Sequence, residues 1–417
     1  MNFYEEYLGK LQRRIKKLED NPDKERLKSN KIRYELALER TQEQLDAWNK
    51  GKPFSDGGGF MAGALVKAMG FVPAGSVSTA FQTMQPQKYL EHAAAKGFPV
   101  ENSCDMTMMP FAMMECGDVP MEDLTVCDQH ACTPMLLRGI HVAHTTDSHT
   151  FYIDVPYKQD LTSIKYVAEQ MGEFIEFSEK HFPGIKYDES KLIELQEIED
   201  EALKYSFEIY NFLKHKPCPI GGLDSFSGME STSRKGLEYM RVRRDEVAER
   251  VEKGIAAVEG ELLRMLWTVT RPFFMNPFRV LEKWKVVVPL YYSGPIAMWS
   301  PLPGRNFWGD AKLTPLEKVA ANALLDQWGH TGKKWVDDMI WICRDLQLDA
   351  IINYCMLGCT ATLGIRKMVE ETAEKELGIP TLQLEGKQWD SRYAGEEAIT
   401  AKLDDFAQVC LSQRGLL

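Results

Sequence analysis

Residues 349–392, DAIINYCMLGCTATLGIRKMVEETAEKELGIPTLQLEGKQWDSR, decide the fold of this chain. The run 350–354 is short and apolar, which is typical of a buried parallel strand. An amphipathic helix follows, and Gly378 with Pro380 ends it. A second strand over 379–384 completes a strand–helix–strand unit, whose connection is almost always right-handed. Because ligands collect beyond the carboxyl ends of such strands, we expect Cys359 to lie at a functional edge.

The length of the chain indicates more than one domain. Its 417 residues are too many for one ordinary core and suggest two α/β units with helical additions. The sequence predicts two doubly wound parallel-sheet domains joined by long helices, with an N-terminal helical arm. The predicted parts are the arm over 1–52, a first α/β domain over 53–160, a helical connection over 161–275 and a second α/β domain over 276–417. Further predicted elements are strands at 123–127, 150–155 and 285–292, and helices at 161–182, 192–213, 235–267 and 316–343.

Charge and composition exclude several classes of partner. The net charge of −11 argues against nucleic acid or an anionic membrane, because both favour basic patches. The first residues, MNFYEEYLGKLQRRIKKLED, lack an apolar signal core, and the longest apolar run is interrupted by a lysine, prolines and a glycine. We therefore expect a cytoplasmic protein.

The nine cysteines do not suggest a disulfide framework in a chain of this length. Two tight pairs, 127/132 and 355/359, lack the CxxC spacing, so zinc-ribbon and thioredoxin interpretations are weak. Cysteines that meet from distant strand ends fit an iron–sulfur cluster better.

Two sets of spaced motifs carry a family resemblance. In the C-terminal half, Cys359 follows Asp349 by ten residues, and a helix, Gly-Ile-Pro at 378–380, a strand and Asp-Ser-Arg at 390–392 come next. In the N-terminal half, Cys132 is followed twenty-two residues later by Asp-Val-Pro-Tyr at 154–157, and Cys104 occupies an earlier cysteine position. Over residues 60–410 the chain resembles the superfamily of benzoyl-CoA reductases and 2-hydroxyacyl-CoA dehydratases. It departs from many dehydratase subunits at Thr360, where they carry lysine, and at Lys387, where an acidic residue often follows the glycine.

The resemblance implies a [4Fe–4S] cluster between the two α/β domains, beside a CoA thioester. It implies Cys104, Cys132 and Cys359 as ligands, which would leave one iron free to act as a Lewis acid. Cys116, Cys127 and Cys355 are either spectators or additional ligands of a double-cubane variant, which some members of the superfamily carry. His130, two residues before Cys132, is a candidate proton donor.

The same resemblance frames the expected activity. We expect the iron–sulfur subunit of an ATP-dependent, benzoyl-CoA-reductase-like oxidoreductase, acting by radical chemistry on an aromatic acyl-CoA in anaerobic metabolism. The alternatives are a subunit of a 2-hydroxyacyl-CoA dehydratase, a lyase that works through a ketyl radical, and a double-cubane-cluster reductase. A non-catalytic scaffold with vestigial cysteines belongs to a different class.

Two kinds of protein partner are implied. One is a homologous second subunit, or a second copy of this chain. The other is an ATP-hydrolysing activator with its own iron–sulfur cluster. The chain itself has no GxxxxGK[ST] motif, so we expect it to bind no nucleotide.

The methionine-rich stretch 106–114 has two interpretations. It could form the dry wall of an acyl pocket, together with the loop 293–310 and its Trp299 and Trp308, or it could simply be helix packing.

Overall fold

The fold is seen in a computed structural model of the chain. The structure describes residues 2–22, 26–55, 63–74, 82–83, 85–98, 103–128, 133–226, 233–292, 302–326 and 331–417. The predicted site residues His130 and Cys132, and Trp299 of the proposed wall, lie outside the described residues.

The elements alternate between strands and helices in both halves. In the first half they are α1 Phe3–Asp20, α2 Asn30–Asn49, β1 Phe54–Ser55, α3 Gly63–Met69, β2 Val72–Pro73, α4 Pro86–Ala95, α5 Asp105–Glu115, β3 Leu124–Asp128, α6 Thr133–Thr145 and β4 His149–Ile153. The helices that follow are α7 Leu161–His181, α8 Glu189–Phe212, α9 Leu223–Phe226 and α10 Arg234–Glu252. The second half contains β5 Leu263–Thr268, α11 Phe278–Lys283, β6 Val286–Val287, β7 Tyr291–Tyr292, α12 Pro315–Leu325, α13 Gly332–Asp345, β8 Ala350–Met356, α14 Thr360–Gly364, α15 Arg366–Leu377, β9 Thr381–Gly386 and α16 Glu396–Gln413.

The first sheet is parallel, with strand order β2-β1-β3-β4. Its apolar side chains form a core with α3 and α7, to which alanines and leucines of α12 also contribute. Asp160 is the N-cap of helix α7, as the sequence suggests, and its carboxylate accepts a hydrogen bond from the N–H of Ser163.

The N-terminal arm is helical, as predicted. Asn2 and Glu5 form a reciprocal capping box that starts α1. Aromatic side chains of α1 pack with α4 and α5 in one apolar cluster, which includes Met108, Met109, Met113 and Met114. These methionines are buried, so in this helix the packing interpretation accounts for the stretch.

The second sheet is also parallel, in the order β6-β5-β8-β9, with β7 pairing with β5. Strand β8 is buried at every position, which explains its continuous apolar run. Gly378 ends α15 with a left-handed φ of +65°, and β9 follows at once. The strand–helix–strand unit predicted over 349–392 is therefore confirmed, and with it the α/β fold of two parallel sheets.

Three of the predicted elements are wrong in extent. The helix predicted over 235–267 ends at Glu252, because Gly254 and Gly260 take left-handed conformations and 263–268 pairs as β5 in the second sheet. This strand precedes residue 276, where we placed the start of the second α/β domain; the domain limits themselves stay a prediction. The strand predicted over 285–292 is two short strands, β6 and β7, and the helix predicted over 316–343 is two helices, α12 and α13. None of the helices in the described part of the chain is long and apolar enough to cross a membrane.

Candidate functional site

Two cysteine-bearing turns, one from each half of the chain, meet face to face. Strand β8 ends at Met356, Gly358 turns the chain with φ +89°, and Cys359 is the N-cap of α14. A side chain at Gly358 would have its Cβ 2.5 Å from the carbonyl oxygen of Ser103 and 3.1 Å from the backbone nitrogen of Cys104. The peptide that leads into Cys104 therefore lies directly on the turn that leads into Cys359.

Cys104 is the N-cap of helix α5. Its carbonyl oxygen accepts hydrogen bonds from the N–H of Thr107 at 3.0 Å and of Met108 at 3.2 Å, and from the Thr107 hydroxyl at 2.8 Å. The residue is 4% exposed. The first turn of the helix thus fixes the backbone of Cys104 and holds its side chain in a site closed to bulk water.

Cys359 is held in the same way. Its N–H donates to the carbonyl of Met356 at 3.0 Å, and the residue is 2% exposed. Burial raises the pKa of its thiol, whereas hydrogen bonds from Thr362 and from the N–H of Ala361 act in the opposite direction. Neither cysteine forms a disulfide bond, and the two turns that carry them are in contact at a buried place between the halves.

The loop after β9 closes the other side of the Cys104 turn. Lys387 is fully buried, and its Nζ donates to the carbonyl of Ser103 at 2.9 Å and lies 3.4 Å from Asp105 Oδ1. Asp105 Oδ2 accepts hydrogen bonds from the N–H of Trp389 at 3.1 Å and of Asp390 at 3.4 Å. Burial raises the pKa of the Asp105 carboxyl, and the nearby Lys387 opposes that shift. Sequence reasoning did not place either Lys387 or Asp105 in the site.

The Asp-Ser-Arg motif is a local ion pair. Asp390 is buried, and its two oxygens accept hydrogen bonds from Arg392, from Nε at 2.8 Å and from a terminal nitrogen at 2.6 Å. The N–H of Arg392 also donates to the same carboxylate at 3.1 Å. Burial disfavours the charged carboxylate, but these hydrogen bonds outweigh it, so the pKa of Asp390 is lowered. The motif therefore stiffens the loop that carries Lys387.

The other candidate cysteines have different surroundings. Cys355 lies near Cys359, but its thiol donates to the side-chain oxygen of Gln383 at 3.3 Å, and burial raises its pKa to about 12. Cys127 packs tightly against Gly139 of α6. Cys116 is at the far end of α5, about 18 Å along the helix from Cys104.

Among the described residues, no group of three side chains is arranged to hold a metal ion. Cys132 directly precedes α6 in the chain and lies outside the described part, as does His130. The structure thus brings the turns of Cys104 and Cys359 into contact, and the assignment of Cys104, Cys132 and Cys359 as ligands stays a prediction.

Two parallel sheets with an N-terminal helical arm define a mixed α/β protein, in which the turn before Cys359 packs on the peptide before Cys104. The family model of the 2-hydroxyglutaryl-CoA dehydratase D-component matches residues 60–409. The chain therefore belongs to this family, within the superfamily that its cysteine spacing suggested.

Curated relatives carry dehydratase names. The chain is 25% identical over 347 residues to the (R)-phenyllactyl-CoA dehydratase alpha subunit of Clostridium sporogenes, and this match covers 79% of this chain and 81% of that subunit. It is 22% identical over 335 residues to the lactoyl-CoA dehydratase subunit alpha of Anaerotignum propionicum, covering 73% of this chain and 77% of the relative. The (R)-2-hydroxyglutaryl-CoA dehydratase subunit alpha of Acidaminococcus fermentans is 25% identical over 66% of this chain, and the match spans 57% of that subunit.

Proposed function

We propose that this chain is the cluster-bearing subunit of a 2-hydroxyacyl-CoA dehydratase, a lyase. The observation that carries the proposal is the meeting of the Cys104 and Cys359 turns at one buried place. The names of the relatives favour this alternative over the benzoyl-CoA-reductase-like oxidoreductase that we first expected. Phenyllactate, 2-hydroxyglutarate and lactate are all 2-hydroxy acids, so a 2-hydroxyacyl thioester is the substrate class we propose.

The donor set fits an iron–sulfur cluster. Cys104 and Cys359, neither of them in a disulfide, would supply two thiolates from adjacent turns, and Cys132, which follows β3 in the chain, would supply the third. When bound, such a cluster supplies single electrons and, at an iron without a protein ligand, a Lewis acid. The residues of this chain hold the two turns in contact and keep them buried, which excludes water from the place where a radical must survive.

Two partners belong to the proposal. The three relatives are named as alpha subunits, which supports a second subunit beside this chain. An ATP-hydrolysing activator would deliver the electron.

The cluster is tested first by composition. Protein purified without oxygen should contain iron and acid-labile sulfide, and Cys104→Ser and Cys359→Ser should each lose most of both. Cys410→Ser is the matched control, because Cys410 is equally buried but lies on α16, beside the amino end of β8. Equal iron contents in all variants would contradict the ligand assignment.

The reaction is tested by stoichiometry. The complex with its partner subunit and activator is given a 2-hydroxyacyl-CoA and benzoyl-CoA in parallel, and ATP consumed per product is followed. An enoyl-CoA formed with catalytic ATP supports the dehydratase. A cyclic diene formed with ATP consumed in every turnover would overturn it in favour of the reductase.

A further inference from the structure

A buried ion pair joins the two halves of the chain beside Cys104. Lys387 follows β9 in the second sheet, and Asp105 is the first residue of α5 in the first half. Both side chains are completely buried. Charged side chains are rarely buried in this way unless each has a partner, so the contact between them is a specific feature of the interface.

The contacts run in both directions across the interface. The Lys387 ammonium of the second half donates to the carbonyl of Ser103 in the first half. The Asp105 carboxylate of the first half accepts from the N–H groups of Trp389 and Asp390 in the second half. Each half thus binds the backbone of the other, and the two residues of the first half that take part, Ser103 and Asp105, stand directly before and after Cys104.

The same carbonyl is also in contact with the Cys359 turn. Gly358 packs on the carbonyl of Ser103 so closely that no Cβ fits between them. Ser103 is therefore enclosed by Gly358 on one side and Lys387 on another. If the lysine were removed, the buried Ser103 carbonyl would lose a hydrogen-bond donor and the buried Asp105 carboxylate would lose a neighbouring cation, and opening of the interface would become easier.

We propose that Lys387 and Asp105 are positioning residues that form a clamp, holding the Cys104 turn against the Cys359 turn. The clamp sets the spacing of the two thiols. Its role toward a cluster rests on the proposed function, but the clamp is a property of the protein itself and acts whether or not iron is bound. Groups that hold metal ligands in place typically affect metal affinity by about 10–100-fold when they are lost.

The clamp is tested on the full chain freed of iron, by the alkylation rates of its individual cysteines under anaerobic conditions. In Lys387→Met, Cys104 and Cys359 should react at least about tenfold faster than in the wild type, because a broken buried pair favours local opening. Cys343 and Cys410 are the internal controls, since both are buried near the amino end of β8, away from the clamp. Their rates should not change. Unchanged rates at Cys104 and Cys359, or an equal increase at all four cysteines, would overturn the proposal.

Matched variants separate the clamp from general loss of stability. Arg264→Met breaks another buried ion pair, with Glu261, at the amino end of the second sheet. It should leave Cys104 and Cys359 at their wild-type rates. Asp105→Asn is the milder clamp variant, because an amide still accepts from the loop N–H groups; it should raise both rates less than Lys387→Met. In the double variant, the increase in the alkylation rates of Cys104 and Cys359 should be smaller than the two single increases combined, since the two residues act on each other.

Iron binding gives the second measurement. After reconstitution, Lys387→Met should release iron to a chelator about 10–100-fold faster than the wild type and show an altered EPR spectrum when reduced. A wild-type protein that takes up no iron would refute the proposed function, and the alkylation pattern would still decide the clamp. A wild-type protein that binds iron, with Lys387→Met identical to it in both measurements, would refute the clamp alone.

Discussion

Replacing Gly358 by alanine should force the two cysteine turns apart. Gly358 has a φ of +89°, which side-chain-bearing residues rarely adopt, and its added Cβ would lie 2.5 Å from the carbonyl oxygen of Ser103 and 2.6 Å from the carbonyl carbon. Both atoms belong to the backbone, so no side-chain rotation relieves the contact. The turns must separate by roughly 1 Å to restore van der Waals distance.

The expected cost has two parts. The left-handed conformation costs an alanine about 1–2 kcal/mol. Forcing a methyl group into a packed interface costs about 1–3 kcal/mol more. We therefore expect Gly358→Ala to lower the free energy of unfolding by about 2–5 kcal/mol and, because the thiols move apart, to lower the iron content of the reconstituted protein.

Two other glycines provide matched controls for these parts. Gly378 also has a left-handed φ, +65°, but its Cβ would meet no atom within 4 Å. Gly378→Ala should cost about 1–2 kcal/mol and keep full iron. Gly364, at the end of α14, has an ordinary φ and open space around it, so Gly364→Ala should be neutral or slightly stabilising. The measurements are urea unfolding and iron analysis of all three glycine variants. If Gly358→Ala unfolds at the same urea concentration as Gly364→Ala and holds wild-type iron, the two turns do not meet as described.

Two further predictions concern the site and its loop. Cys355→Ser should keep the iron that Cys359→Ser loses, because the Cys355 thiol is hydrogen-bonded within the sheet and its pKa is about 12; loss of iron from both variants would make Cys355 a ligand. Asp390→Asn should destabilise the protein at neutral pH, because the Arg392 pair lowers the pKa of Asp390 in the folded state below its ordinary 3.8. That contribution is complete above 3.8 and is lost as the pH falls through the lower, folded-state pKa, so the difference in urea midpoint from wild type should shrink in acid. A difference that stays constant from pH 7 to pH 3 would contradict this assignment.

The part of the fold that could be predicted from sequence rests on local signals. The unit over 349–392 follows from an apolar run, an amphipathic helix and a glycine stop, and each of these acts over a few neighbouring residues. The prediction of a helix over 235–267 was wrong in the part of the segment whose structure depends on pairing with a distant strand. Residues 263–268 are mostly apolar, with Arg264 and Thr268 as the exceptions, and fit a helix as well as a strand; their pairing with β8 settles the choice. The two glycines at 254 and 260 were the available signal for the end of the helix.

The candidate site also contains some residues that local sequence signals indicate and others that they do not. Cys104 and Cys359 could be proposed because cysteines that end strands or begin helices are visible in the sequence. Asp105 and Lys387 could not, because a lysine and an aspartate in loops or at helix starts are usually solvated. Lys387 donates to a carbonyl 284 residues earlier in the chain, and no periodic pattern reports a contact of that kind.

The chemistry of the interface explains why a charged contact suits this place. An apolar pair of the same volume would stabilise a buried junction at least as well, because the ions lose their hydration. An apolar contact, however, tolerates small shifts, whereas separating Lys387 from Asp105 takes a buried cation away from a buried carboxylate. The Asp390–Arg392 pair stiffens the loop in advance, so that its N–H groups already face Asp105. The contact therefore disfavours misaligned arrangements of the two halves more than it adds stability, and the proposed cluster would require that alignment because its ligands come from both halves.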